Sequence, residues 1–277
     1  MPESPEVEIM RRNLLRWTRG RRITRVDLLR PATMSGDHAA SSTLVEGARL
    51  THALRRGKVL WMAFSSSSGW LVRFGMTGKW VRCRPGQPMP RFARIRLLLN
   101  DGHAILFLDR RNLGRIQAFH PAPQGPTLLK HAAPGRDPLL EGISGRNLET
   151  LFARRRSPVK TLLLDQSLIA GIGNIYAAET LFTARIHPRT PGNTLDLQAC
   201  TRLAQAIHQR LVWAIDTFDG DDIALQGEPG ADQAPFQVYR RTGRPCPRCR
   251  APIRRDTIAG RATFFCPTCQ SLPGAKA

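Results

Sequence analysis

The chain reads as an α+β protein: a leading helix and a strand-rich N-terminal half, then a helical region, then a cysteine-bearing β-hairpin. Three observations predict this. Apolar residues recur at helical spacing over the first twenty positions. They fall into alternating or short strand-length runs from Ile23 to about Phe119, and return to helical spacing beyond Leu139. The last forty residues then hold two C-x-x-C pairs. These shifts divide the chain at 1–133, 134–236 and 237–277.

The first helix is expected from Pro5 to about Arg19. Ser4 suits the N-cap, Pro5 the first helical position and Gly20 the stop, while Val7, Met10, Leu14 and Trp17 form an apolar stripe. Strands follow. Val59–Phe64 and Trp70–Phe74 are apolar runs joined by 65–69. Ala93, Ile95, Leu97 and Leu99 alternate with Arg94 and Arg96, and Asn100-Asp101-Gly102 is a hairpin turn into Ala104–Leu108. Together they predict a β-sandwich or flattened barrel. His120 to Pro138, rich in Pro and Gly, reads as a linker. Helices are expected around Leu139–Phe152, Pro158–Leu164, Asn174–Phe182 and Leu195–Ile215, and Asp219 to Pro235 reads as a mobile loop.

Composition narrows the partner. Hydrophobic residues at 42% exclude global disorder, and 42 basic against 21 acidic residues give +21 and a pI near 11.4. So large a field repels itself unless a polyanion neutralises it. Lysine occurs only at Lys58, Lys79, Lys130, Lys160 and Lys276, so a Lys within Arg55-Arg56-Gly57-Lys58 marks a place suited to a compact ammonium. No apolar run nears the ~18 residues of a membrane span, and the acidic start does not read as a secretion signal; a cytoplasmic monomer is expected.

Three constellations bear on chemistry. Cys246-x2-Cys249-x16-Cys266-x2-Cys269 suits one tetrahedral zinc held in two tight turns; two disulfides or an iron–sulfur cluster are the alternatives. Four protein ligands leave no open position, so the metal would be structural. Arg240, Arg241, Arg244, Arg248, Arg250, Arg254, Arg255 and Arg261 surround it, and Cys83 and Cys200 are left as buried thiols. Gly171-Ile172-Gly173-Asn174 precedes a helix, where free N–H groups form an anion site that Lys160 could share; the plain alternative is a structural helix–helix turn. Pro2 would offer a secondary amine once Met1 is removed. An α-amino pKa of about 7.7–8.0 leaves roughly a tenth of it unprotonated at pH 7, against far less for a lysine. Glu3 is placed to move protons beside it.

In this order the three features resemble the formamidopyrimidine-DNA glycosylase and endonuclease VIII family. Pro2-Glu3-Ser4-Pro5-Glu6-Val7-Glu8 is similar to its terminal motif. Val159-Lys160-Thr161 with 171–179 is similar to its helix–two-turn–helix, and Val238-Tyr239-Arg240 with Arg261 to Cys266 to its zinc finger. The resemblance implies a base-excision enzyme that removes oxidised bases, first 8-oxoguanine and formamidopyrimidines, from double-stranded DNA, then cuts by β- and δ-elimination.

It also implies roles. Pro2 would be the nucleophile, Glu3 the acid, and Lys58 the pocket lysine on the damaged nucleotide's phosphate. Glu6 and Glu179 would support the site, and Lys160, Asn174 and Arg261 would grip flanking phosphates. Met76, in Phe74-Gly75-Met76-Thr77-Gly78, would fill the gap left by a flipped nucleotide. Arg111 and Leu113, in Asp109-Arg110-Arg111-Asn112-Leu113-Gly114, would face the orphaned base and wedge the stack. Leu113 stands where the formamidopyrimidine branch has Phe, Arg73 where it has His, and Ala231-Asp232 replaces an aromatic pair. Endonuclease VIII-like specificity for oxidised pyrimidines, a non-catalytic damaged-DNA binder and an RNA-binding zinc ribbon are the other readings.

Overall fold

The computed structural model describes residues 1–37, 41–221, 223, 225 and 235–272. They pack as two compact units, Met1–Ala133 with Ile215–Asp232, and Pro134–Ala214 with Gln233–Ala277.

In the first unit helix α1 spans Ser4–Thr18. Its N-cap is Glu3, one residue before the expected Ser4, because the Glu6 carboxylate reaches back to accept the Glu3 N–H at 2.8 Å. Val7, Met10, Leu14 and Trp17 are buried as the stripe requires. Nine strands follow among the described residues: β1 Ile23–Asp27, β2 Met34–Gly36, β3 Leu50–Arg56, β4 Val59–Phe64, β5 Gly69–Arg73, β6 Lys79–Cys83, β7 Ala93–Leu99, β8 Ala104–Leu108 and β9 Arg115–Phe119. One sheet has the order β1-β7-β8-β6, the other β2-β9-β5-β4-β3; pairing is antiparallel except for β2 on β9. Helix α1 touches both sheets, lying against β3, β4 and β6, where the Trp80 N–H donates to Met10 Sδ at 3.4 Å.

The expected linker instead contains a helix, α2 (Gly125–Ala132). Its Pro126 lies in the first turn, where a missing N–H costs nothing. Buried Leu129 and the close seat of Gly125 on Trp61, where a Cβ would stand 2.5 Å from the indole, pack it onto β4. Proline and glycine marked a helix start here, not an absence of structure.

The second unit is helical, with a terminal hairpin. Helix α3 is shorter than its pattern, Gly145–Phe152, because Ser144 and Asn147 form a capping box while Asp137 Oδ1 folds Leu139 and Leu140 into a turn. Helix α4 spans Val159–Leu164, α5 Asn174–Ala184 and α6 Leu197–Phe218. Asp196 Oδ1 accepts the Ala199 N–H at 2.7 Å and sets the start of α6. Between α4 and α5, Gln166 accepts the Gly171 N–H at 2.9 Å and donates to the Leu164 and Ile172 carbonyls. One amide side chain thus holds both turns. Strands β10 (Arg254–Ile258) and β11 (Arg261–Phe265) pair antiparallel through Ala259-Gly260. Their φ values of +48° and +71° are those of the type I′ turn that suits a two-residue hairpin.

Cys83 and Cys200 are buried and free. Of the expected loop Asp219–Pro235, positions 222, 224 and 226–234, Ala231 and Asp232 among them, lie outside the described residues.

Candidate active site, phosphate grip and metal centre

Pro2 and Glu3 are buried at the head of α1, and Glu6 lies one turn on. Lys58 is the second residue of the β3–β4 hairpin, whose Gly57 takes φ +55°. The N-terminal amine carried by Met1 stands one residue before the imino nitrogen that Pro2 would expose. Burial lowers its pKa below the ordinary 8.0; Glu3 and Glu6 oppose the shift, and Lys58 and Arg111 add to it. The two carboxylates, the lysine and Arg111 therefore all act electrostatically on the front of the chain.

Glu8 and Arg55, to which no motif assigns a role, hold this geometry. The Glu8 carboxylate on α1 accepts from Arg11 at 2.8 Å, from Arg12 at 2.9 Å and from Arg55 of β3 at 3.3 Å. Buried Arg55 also donates to the Gly57 carbonyl at 3.0 Å, so one pair ties the helix that carries Pro2 to the turn that carries Lys58. Against the upward push of burial, the Arg11, Arg12 and Arg55 guanidiniums hold the Glu8 pKa down at about 2. The i+3 and i+4 arginines were legible as a helical charge cluster. The partner 47 residues away was not.

Met76 sits in the loop between β5 and β6, and Arg111 and Leu113 in the loop between β8 and β9. Met76 and Leu113 are 38% and 46% exposed, so both side chains reach solvent from their loops. Asp109, fully buried, organises both loops. Oδ1 accepts from Thr77 Oγ1 at 2.5 Å and from the Arg111 N–H at 3.1 Å, and Oδ2 accepts the Gly114 N–H at 2.6 Å. Arg73 is exposed at the end of β5, in register with Val59 and Arg115.

In the second unit Lys160, Asn174 and Arg261 come together although they are far apart in sequence. Lys160 Nζ donates to the Ala262 carbonyl at 2.8 Å and to Thr263 Oγ1 at 2.7 Å, and Asn174 Nδ2 donates to the same carbonyl at 2.9 Å. Asn174 opens α5, and exposed Arg261 is the next residue along the hairpin. This is a place where helix N–H groups, an amide and a guanidinium can meet an anion. Lys160 differs from expectation in being fully buried, with its ammonium directed at the hairpin, as burial of a charge demands.

Glu179, on α5, is also fully buried. Its oxygens accept the N–H groups of Gln237, Val238 and Tyr239, each at 2.9 Å, and lie 3.5 Å from Arg210. It anchors the segment that leads into the cysteines.

The four cysteine sulfurs lie within 4.8 Å of one another, with Cys246 to Cys269 at 3.9 Å and Cys249 to Cys266 at 3.4 Å. A tetrahedron with Zn–S of about 2.3 Å has edges of about 3.8 Å, so the set fits zinc. Each pair is a knuckle: the Arg248 N–H points at Cys246 Sγ and the Cys269 N–H at Cys266 Sγ. Without a cation, burial and the neighbouring sulfurs push the Cys269 thiol up to about 12, whereas the Ala251 N–H helps draw Cys249 down to about 7. Four thiolates here need the metal's charge. Zn2+ held by these cysteines is structural, because no ligand position is left over. Arg248 stacks on Phe182 and donates to its carbonyl at 2.8 Å, which fastens the finger to α5.

Three family models match: the formamidopyrimidine-DNA glycosylase N-terminal domain over residues 1–116, the H2TH domain of the same enzymes over 135–224, and the zinc finger found in FPG and IleRS over 243–272. The formamidopyrimidine-DNA glycosylase of Acidothermus cellulolyticus is 36% identical, covering 99% of this chain and 98% of its own. That of Chloroflexus aurantiacus is 39% identical, with 98% of each covered. Among solved structures, Lactococcus lactis Fpg in complex with DNA containing an oxidised pyrimidine superposes with a TM-score of 0.85. It is 30% identical and covers 98% of this chain and all (100%) of its own. Thermus thermophilus MutM gives 0.78 at 34% identity, with 98% and 99% covered. With the same layers, the same cysteine finger and near-complete coverage, the chain belongs to the formamidopyrimidine-DNA glycosylase family of base-excision DNA repair enzymes.

Proposed function

We propose that this chain is a bifunctional glycosylase and AP lyase. It acts as a monomer on double-stranded DNA, associated with the nucleoid, and removes oxidised bases, 8-oxoguanine and formamidopyrimidines first. Its working body would comprise a catalytic domain at 1–133, a helix–two-turn–helix domain at 134–236 and the finger at 237–277. After removal of Met1, the Pro2 nitrogen attacks C1′ of the damaged nucleotide. The glycosidic bond breaks, the base departs with a proton, and Glu3 protonates the ring oxygen as the sugar opens to an iminium. The iminium acidifies the C2′ proton. Its loss expels the 3′ phosphate, δ-elimination expels the 5′ phosphate, and water releases Pro2. Lys58 holds the damaged nucleotide's phosphate, and Glu6 fixes Glu3 through its backbone N–H. Lys160, Asn174 and Arg261 set the flanking backbone, and Glu179 supports them through the segment it anchors.

One observation carries this reading: Pro2 is buried at the head of α1 beside Glu3, whose N–H is held by the Glu6 carboxylate at 2.8 Å, and the amine at the front of the chain, borne here by Met1, lies in the field of Glu3, Glu6, Lys58 and Arg111 with its pKa lowered by burial. A Pro2 nitrogen in the same surroundings would be less readily protonated and freer to attack at neutral pH. Borohydride trapping on a panel of single-lesion duplexes tests it, with the N-terminus identified by mass spectrometry. An adduct should form through Pro2 on purine lesions, and Pro2→Gly should abolish trapping while duplex affinity stays. Full trapping by protein that retains Met1 would refute the nucleophile.

A further inference from the structure

The loops bearing Met76 and Leu113 lie apart in sequence, yet the strands they connect are paired, β5 with β9 and β6 with β8, and the loops themselves are joined twice. Thr77 Oγ1 donates to Asp109 Oδ1 at 2.5 Å and accepts the Arg111 N–H at 3.0 Å, so one hydroxyl bridges both loops. Beside it, the backbones touch. Gly75 takes φ +58°, and a Cβ there would stand 2.6 Å from the Leu113 carbonyl carbon and 2.8 Å from the Gly114 nitrogen. Gly114 is held to Asp109 Oδ2 and sits so close to Phe107 that it too tolerates no Cβ. Polar bonds that converge on one buried carboxylate, with a backbone contact of this kind, leave two loops one shared arrangement. At its crest stand the two exposed apolar side chains.

We propose that Thr77 and Asp109 are positioning residues that fuse the two loops into one preassembled wedge, and that Met76 and Leu113 open the base stack as a single unit. The inference rests on the duplex-repair reading above. Preassembly matters because unstacking costs several times the thermal energy, and a wedge that had to order itself during insertion would add its own entropy to that cost.

The test compares a single-lesion duplex, carrying 2-aminopurine beside the lesion, with a single-stranded abasic oligonucleotide that needs no stack opening. Thr77→Val should cut the duplex rate relative to the single-strand rate by about tenfold or more, the size expected for a lost bond to a charged group. The 2-aminopurine signal should fall with it. Thr77→Ser, which keeps the hydroxyl, should restore both. Met76→Ala and Leu113→Ala, at exposed positions that folding tolerates, supply an independent check. One wedge predicts that the double variant loses little more than the worse single variant. Equal losses on both substrates, no loss on either, failure of Thr77→Ser to restore the ratio, or multiplying losses in the double variant would each overturn the proposal. A wild-type protein that traps no adduct even on the abasic strand would sink the lyase reading itself, a distinct result.

Discussion

Replacing Glu179 by Gln is the sharpest probe of how the second unit is held together. The carboxylate accepts three backbone N–H groups at 2.9 Å and faces Arg210 at 3.5 Å; Val238, Tyr239 and Arg210 are buried and Gln237 is half-buried. Glutamine can keep its oxygen toward Val238 and Tyr239. Its NH2 then faces the Gln237 N–H and the guanidinium, donor against donor. An orphaned N–H costs about 1–3 kcal/mol when buried, and the half-buried Gln237 N–H falls at the lower end of that range. A buried guanidinium stripped of its carboxylate costs about 3–5 kcal/mol, eased here because Arg210 stacks on Trp213 at 3.7 Å. The net loss should be about 4–5 kcal/mol, a third or more of the stability of an ordinary domain. At a urea slope of about 3 kcal/mol/M the midpoint falls by about 1.5 M. Zinc release, followed with a metallochromic dye, should begin at lower urea, because 237–239 lead directly into Cys246. A midpoint shift under about 0.3 M would refute the reasoning by showing that water or Arg210 itself satisfies these groups without the carboxylate.

Two further outcomes follow from the same geometry. Glu8 is held at about 2, below its ordinary 4.5, so its contribution to stability is complete above about pH 4.5 and is lost as pH falls toward 2. Glu8→Gln should flatten acid unfolding across that window, measured by circular dichroism, and an unchanged profile would mean that the arginine cluster contributes nothing. Chelation, or Cys249→Ser, should release one zinc and weaken duplex binding together in a gel-shift titration; tight binding by metal-free protein would make the finger dispensable.

Much of the site was legible before any fold was known, because its chemistry depends on residue type and local spacing. C-x2-C pairs make knuckles wherever they occur, Gly-x-Gly before a helix frees N–H groups, and a proline behind the initiator carries its own amine. The helix at the front and the β7–β8 hairpin followed from periodicity and a turn triplet. Residues 120–138 read as a linker because Pro126 and Gly125 serve loops as well as helix starts, and only the cover they find on Trp61 distinguishes the two.

What the sequence by itself determined is the inventory: which groups can attack, ligate or grip, and on what kind of element each sits. What only the tertiary structure decided is which of them meet. Arg55 finds Glu8 across 47 residues, Lys160 finds Thr263 across 103, and Asp109 finds Thr77 across 32. Such partners carry no local period. They are selected by the requirement that a buried charge be satisfied wherever the packed chain happens to bring an acceptor or a donor.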